Sequence, residues 1–231
     1  MDLPIIEEVL AKIRSLGINF IAIDFDQTLI DTHTGGRYPG TVHDIISHVR
    51  PIFIELITAA LQPPPPISLQ HTIHIAIVTY SKQPALIRSI LEHLLDVDMA
   101  SRIIIRGNDK SWSYEGNGMK DGKQSHMASA VEEILHHHHI ATEHDTFINN
   151  PPASTENQTN TIATQPVTVP PVPSAAAITT NATLIITRET SLLIDDDTRN
   201  IRIALRNGTR AIWYNPNALP QQLYHDFAQL V

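Results

Sequence analysis

Short runs of Ile, Val, Leu and Ala recur along the chain at 18–23 (INFIAI), 72–78 (TIHIAIV), 102–105 (RIII), 191–194 (SLLI) and 210–214 (RAIWY). Each is continuous rather than alternating and rich in β-branched residues, which suits strands covered on both faces of a parallel sheet. Between the runs, apolar residues fall at helical spacing over Val42 to Leu61, Pro84 to Leu95, Gln124 to His138, Thr198 to Asn207 and Pro220 to Leu230. Ahead of the first run, Ile5, Ile6, Val9, Leu10 and Ile13 stand among charges at intervals that predict an amphipathic helix. Asn207-Gly208 supplies a helix stop. Alternation of strands and helices predicts an α/β fold: one domain over 1–231, built as a doubly wound, Rossmann-like parallel sheet with helices on both faces.

The pattern breaks between Ala141 and Thr183, where Pro, Thr, Asn and Ala dominate and no Lys or Arg occurs. Such a stretch buries too little apolar surface to offset its ordering entropy, so 141–183 is expected to be a long disordered insertion. Pro63 to Pro66 reads as a shorter, stiff spacer. His136 to His139 read as a helix end entering the insertion, because consecutive helical residues point in different directions and chelate poorly.

Composition narrows the chemistry. With no cysteine the chain forms no disulfide, no thiolate zinc site and no cysteine nucleophile. Its 16 basic and 24 acidic side chains give a net charge of −8. That balance repels nucleic-acid phosphate and anionic lipid, and no basic patch offsets it, so neither nucleic acid nor membrane is an expected partner. An anionic substrate then needs a local positive device such as a metal ion. The N-terminal segment lacks the basic start and apolar run of a secretory signal, and no run of about 18 apolar residues would span a membrane. A cytoplasmic protein is expected, and the Asn-x-Ser/Thr triplets at Asn157, Asn181 and Asn207 read as chance.

Polar residues collect at the ends of the predicted strands: Asp24 and Asp26 after the first, Thr79 and Ser81 after the second, Asp195 to Asp197 after the fourth. Ligands of open parallel sheets bind beyond those ends, so these groups are expected to converge. Clustered carboxylates repel one another unless a cation sits among them, and hard oxygen donors without Cys or His favour Mg²⁺.

The segment FIAIDFDQTL carries Asp-x-Asp-x-Thr straight after an apolar run. It resembles the first motif of the haloacid dehalogenase superfamily in its phosphatase form. Thr79 at the end of a strand, Lys123 in GKQSHM and the acids of LLIDDDTRN follow in the order that family uses. IDTH after the first motif, Lys-x-x-His, and an acidic pair followed by Arg-Asn-Ile look most similar to the magnesium-dependent phosphatase branch. The similarity runs from about Phe20 to Tyr214 apart from the insertion.

The resemblance implies a phosphomonoesterase. Asp24 would be the nucleophile that takes the phosphoryl group, and Asp26 the acid and then base that serves the leaving oxygen and the incoming water. Mg²⁺ would be held by Asp24, the backbone carbonyl of Asp26 and Asp196, with Asp195 in support and Asp197 capping the next helix. Lys123 would hold the phosphate and screen the aspartates, with Lys120 as its rival three positions earlier. Thr79 would hydrogen-bond the phosphate, Ser81 being second choice, and Tyr80, Gln27 and Thr28 would flank it. Asp31 and His33 at the site mouth, His126 on the helix after Lys123, and Trp112 and Tyr114 in a Gly-rich loop are weaker candidates, each as readily explained by loop hydrogen bonding or packing.

The expected substrate is phosphorylated, either a phosphoprotein or a small phosphate ester. The stretch between the first two motifs is short and largely helical, so the cap is minimal and the site open. Asp26 supplies an acid that haloacids do not need, which disfavours a dehalogenase; a phosphomutase stays open. A receiver domain is a poor match because it carries its acidic pair on the first strand. From another class, a binding module could capture a protein partner through the Pro-rich insertion.

Overall fold

The computed structural model describes residues 3–62, 72–118, 120–149 and 184–231. The spacer at 63–66 and the insertion from 150 to 183 lie outside the described residues. In chain order the elements are α1 (Leu3–Ser15), β1 (Phe20–Ile23), α2 (Val42–Ile46), α3 (Pro51–Leu61), β2 (His74–Val78), α4 (Pro84–Leu94), α5 (Val97–Ser101), β3 (Ile104–Arg106), α6 (Gln124–Asn149), β4 (Ser191–Asp195), α7 (Thr198–Arg206), β5 (Arg210–Trp213) and α8 (Gln221–Ala228).

Each predicted strand is present, with β1, β2 and β5 shorter than the apolar run, β3 shifted to end at Arg106 and β4 extended to Asp195. The strands make one sheet in the order β3-β2-β1-β4-β5, and every neighbouring pair is parallel. The α/β architecture is therefore as expected. The chain leaves β1 toward β2 and β3 on one side and later returns to β4 and β5 on the other. Loops leaving β1 and β4 consequently diverge, opening a crevice at the carboxyl edge where the winding reverses.

Strand periodicity sorts the core into two layers. Ile21, Ile23, Ile75, Ile77, Leu192 and Ile194 face one way and pack with Leu10 and Ile13 of α1, Phe53 of α3, Ile87 of α4 and Phe227 of α8. Phe20, Ala22, Ala76, Val78 and Leu193 face the other way, beneath Met127, Ala130 and Ile134 of α6 and Ala204 of α7. Burial of each large apolar side chain stabilises the fold by about 1.5–3 kcal/mol. The small Ala22 and Ala76 leave room for α6 to lie close over β2, an approach that carries Lys123 to the crevice.

Three elements depart from the sequence expectation. The single helix expected over Val42 to Leu61 is two, because Arg50 is extended (φ −77, ψ 118) ahead of Pro51, which opens α3. Val49 instead pairs antiparallel with Ile30, pinning the base of the intervening loop. Helix α6 continues to Asn149, so the 141–183 stretch begins with helical residues, 141–149. No Pro or Gly occurs there until Pro151. Helix α5, unexpected from sequence, is one short turn capped by Asp96. Among the described residues no helix is long and apolar enough to cross a membrane.

Candidate functional site

Asp24 is the first residue beyond β1, and its N–H still bonds to the carbonyl of Ile194 at 2.9 Å, so the parallel ladder sets its position. The chain then makes one wide turn, with Leu29 N–H on Asp24 O at 3.2 Å and Ile30 N–H on Phe25 O at 3.0 Å. Gln27 occupies the left-handed region (φ 59) at the apex. That turn keeps Asp26 at the crevice and sends Thr28 inward, where it is fully buried. Asp196 N–H donates to the Thr28 hydroxyl at 3.1 Å, tying the turn after β1 to the loop after β4.

One carboxylate oxygen from each of Asp24, Asp195 and Asp196 lies within 4.8 Å of the others. Asp195 is the most braced: Asp197 N–H donates to Oδ1 at 2.8 Å and the Asn200 amide to Oδ2 at 2.9 Å. The Trp213 indole N–H donates to the Asp196 carbonyl at 2.7 Å, so the end of β5 fixes that loop as well. Asp197 caps α7 by accepting from Arg199 N–H at 2.7 Å.

Lys123, the residue just before α6, is 1 % exposed and meets the trio. Its Nζ donates to Asp24 Oδ1 at 2.6 Å and to the Val78 carbonyl at 2.9 Å, and lies 4.2 Å from the centroid of the Tyr80 ring. Lys120 stands instead over the ring of Tyr114 at 5.9 Å. Tyr80 is the first of a run of edge contacts: its ring meets His126 at 5.4 Å, and His126 meets Trp112 at 4.6 Å.

One ammonium does not balance three clustered carboxyls, of which Asp24 and Asp195 are buried and Asp196 half-buried. Burial pushes Asp24 up to about 6, outweighing the Lys123 charge and hydrogen bond that pull it down. Asp195 is pushed up to about 8 by burial and then by the charge of Asp24, against Lys123 and its two donors. Asp196 is raised too, chiefly by burial. Carboxyls packed this closely hold protons unless another cation joins them, and the donor group, all oxygen, fits a hard divalent ion such as Mg²⁺.

These residues line one open cavity of about 720 Å³. Of the residues singled out from sequence, Asp24, Asp26, Thr79, Tyr80, Lys123, Asp195, Asp196 and His33 are in its wall. Gln27, Thr28 and Ser81 are not in that wall. Gln27 bonds within its own turn, to the Asp31 carbonyl at 3.3 Å. Ser81 is buried behind Thr79 and donates its backbone N–H to the Thr79 hydroxyl at 3.0 Å. That bond occupies a lone pair of Thr79 and leaves its own hydrogen to donate into the cavity. Asp26 also stands outside the carboxylate trio, its carboxyl taken by Thr34 at 2.9 and 3.0 Å. Asp31 pairs with His48, 2.7 Å away. Trp112 donates its indole N–H to the Gly107 carbonyl at 2.6 Å, and Tyr114 lines a separate cavity of about 310 Å³ with Met127 and Arg188.

Sequence reasoning missed Thr34, Gly35, Gly36, Lys82, Asn200 and Trp213. Only Asn200, one turn into the helix after the acids, carried a readable cue; Trp213 looks like the end of an apolar run. Compared with models of protein families, with curated proteins and with solved structures, the chain matches none.

Proposed function

We propose that the protein is a Mg²⁺-dependent phosphatase of the haloacid dehalogenase type, hydrolysing phosphomonoesters through an aspartyl-phosphate on Asp24. The observation that carries this reading is the trio of acids, buried Asp24 and Asp195 with half-buried Asp196, and Asp24 bonded to Lys123 at 2.6 Å, set at the crevice where the sheet reverses. Two carboxylates at a strand edge are common in turns; three clustered around one lysine, two of them buried, are costly to keep and call for a charge-balancing ligand.

Asp24, Asp195 and Asp196 would hold the cation, which when bound supplies positive charge against the phosphoryl oxygens. The remaining steps belong to side chains. Lys123 and the Thr79 hydroxyl hold the phosphoryl group beside Asp24. An Asp24 carboxylate oxygen forms the new bond to phosphorus as the bond to the ester oxygen breaks, and Asp26 gives that oxygen its proton. Asp26, now a carboxylate, takes a proton from water as the water oxygen attacks phosphorus. The Asp24–phosphorus bond breaks, inorganic phosphate leaves, and both aspartates return to their starting forms.

Asp24→Asn removes the nucleophile while keeping its size, and is expected to abolish Mg²⁺-dependent release of phosphate from p-nitrophenyl phosphate. Undiminished release by that variant contradicts the proposal.

A further inference from the structure

Asp26 and Thr34 are too far apart in sequence for a local turn to explain their contact. Thr34 N–H donates to Asp26 Oδ1 at 3.0 Å and the Thr34 hydroxyl donates to Oδ2 at 2.9 Å, so both oxygens of one carboxyl are held by one residue. The hydroxyl also accepts from Gly36 N–H at 3.2 Å, which directs its own hydrogen toward Asp26. Gly35 and Gly36 lie at φ 65 and 82, a region a Cβ disfavours, and this tight reversal brings the Gly36 amide back onto Thr34. The Gly36 carbonyl accepts from Lys82 N–H at 2.9 Å, anchoring the loop to the segment that leaves β2. His33 Nδ1, 3.7 Å from Asp26 Oδ2 on an exposed side chain, is beyond hydrogen-bond reach.

We propose that Thr34 is the positioning residue of Asp26: its two donors fix the carboxyl in the cavity wall in the orientation from which it serves the ester oxygen. This assignment rests on the phosphatase reading above. The backbone N–H fixes one carboxyl oxygen in every state. The hydroxyl donates to Oδ2 of the carboxylate and equally of the carboxylic acid whose proton sits on the lone pair facing the ester, so the hold survives as Asp26 loses that proton to the departing oxygen and later regains one from water. Without the hydroxyl, Asp26 keeps one tether and samples rotamers that do not reach the ester.

The leaving group separates this role from a structural one. A p-nitrophenolate departs with little help, whereas a simple alkoxide needs the proton as the bond breaks. Phosphate release in Mg²⁺ is to be measured with p-nitrophenyl phosphate and with n-butyl phosphate for the wild type and for Thr34→Val, Thr34→Ala and Thr34→Ser, each checked for an unchanged melting temperature. Thr34→Val and Thr34→Ala should lose about tenfold or more in kcat/KM for the butyl ester and less than about threefold for the nitrophenyl ester, as loss of one bond to a charged group implies. Thr34→Ser should stay within about threefold of wild type on both, since it restores the hydroxyl. Equal losses on the two esters, or a Ser variant as impaired as Ala, overturn the role of Thr34 and leave the phosphatase reading standing. A wild type that releases phosphate from neither ester overturns both.

Discussion

His126 is 7 % exposed between the rings of Tyr80 and Trp112, and neither of its ring nitrogens has a hydrogen-bond partner among the described residues. Burial, with the nearby Lys123 charge, pulls it down to about 4, against a weaker opposite pull from the Thr79 backbone. Its folded value lies below the unfolded one of about 6.5, so protonation favours the unfolded chain. The stability it leaves in place is full above about pH 6.5 and is lost as pH falls toward 4. His126→Phe keeps a ring in the stack and removes the titration. The variant should gain about 2 kcal/mol on wild type between pH 7.5 and pH 5, read from thermal or urea melts at both pH values. A gap that does not change with pH contradicts the neutral, buried assignment. At this scale the sequence was informative where a charge stood at the end of an apolar run, as for Asp24, Asp195 and Asp196, and where Lys123 was the last base before Arg188. It was silent about Thr34 and Trp213: Thr34 meets Asp26 because the connection after β1 folds back on itself, and Trp213 meets Asp196 because β5 lies beside β4.

Helix α5 is held at its start by Asp96, whose carboxylate accepts from Met99 N–H at 2.8 Å. Asp96→Ala should cost about 1 kcal/mol, seen as a fall of a few degrees in melting temperature, while phosphate release stays unchanged because α5 is not in the cavity wall. A matching loss of activity would show that the opposite edge of the sheet is coupled to the site. Strands were readable because burial on both faces leaves continuous apolar runs. The break between α2 and α3 was harder to see, since Ile45, Ile46, Val49, Ile52 and Phe53 keep helical spacing across it. Pro51 and the pairing of Val49 with Ile30 decide the matter, and the second of these is a tertiary contact. The reach of α6 to Asn149 was obscured for another reason: composition marked the segment from 141 as linker-like, although nothing there prevents a helix.

At the scale of the whole molecule, three acids from two distant parts of the chain meet at the crevice between the loops leaving β1 and β4. On the phosphatase reading, Mg²⁺ bound there would relieve repulsion that exists only in the folded chain and so stabilise the fold by mass action. At about 100 times its dissociation constant the gain is about 2.7 kcal/mol, or roughly 5–10 °C in melting temperature for a chain of this size, reversed by a chelator. Asp196→Asn should remove most of the shift, and a melting temperature indifferent to Mg²⁺ counts against a metal centre. Strand order could not be read from the chain, because short apolar runs do not say which of them is central; β1 holds that place, and with it Asp24 sits at the reversal of the winding. The proposed aspartyl-phosphate on Asp24 is open to chemical trapping. Quenching the protein during turnover with Mg²⁺ and p-nitrophenyl phosphate, then reducing with borohydride, converts an acyl phosphate to the corresponding alcohol. Peptide mass analysis should find that conversion at Asp24 alone and only with both substrate and Mg²⁺ present; an unmodified Asp24 during active turnover, or conversion at another residue, contradicts the account.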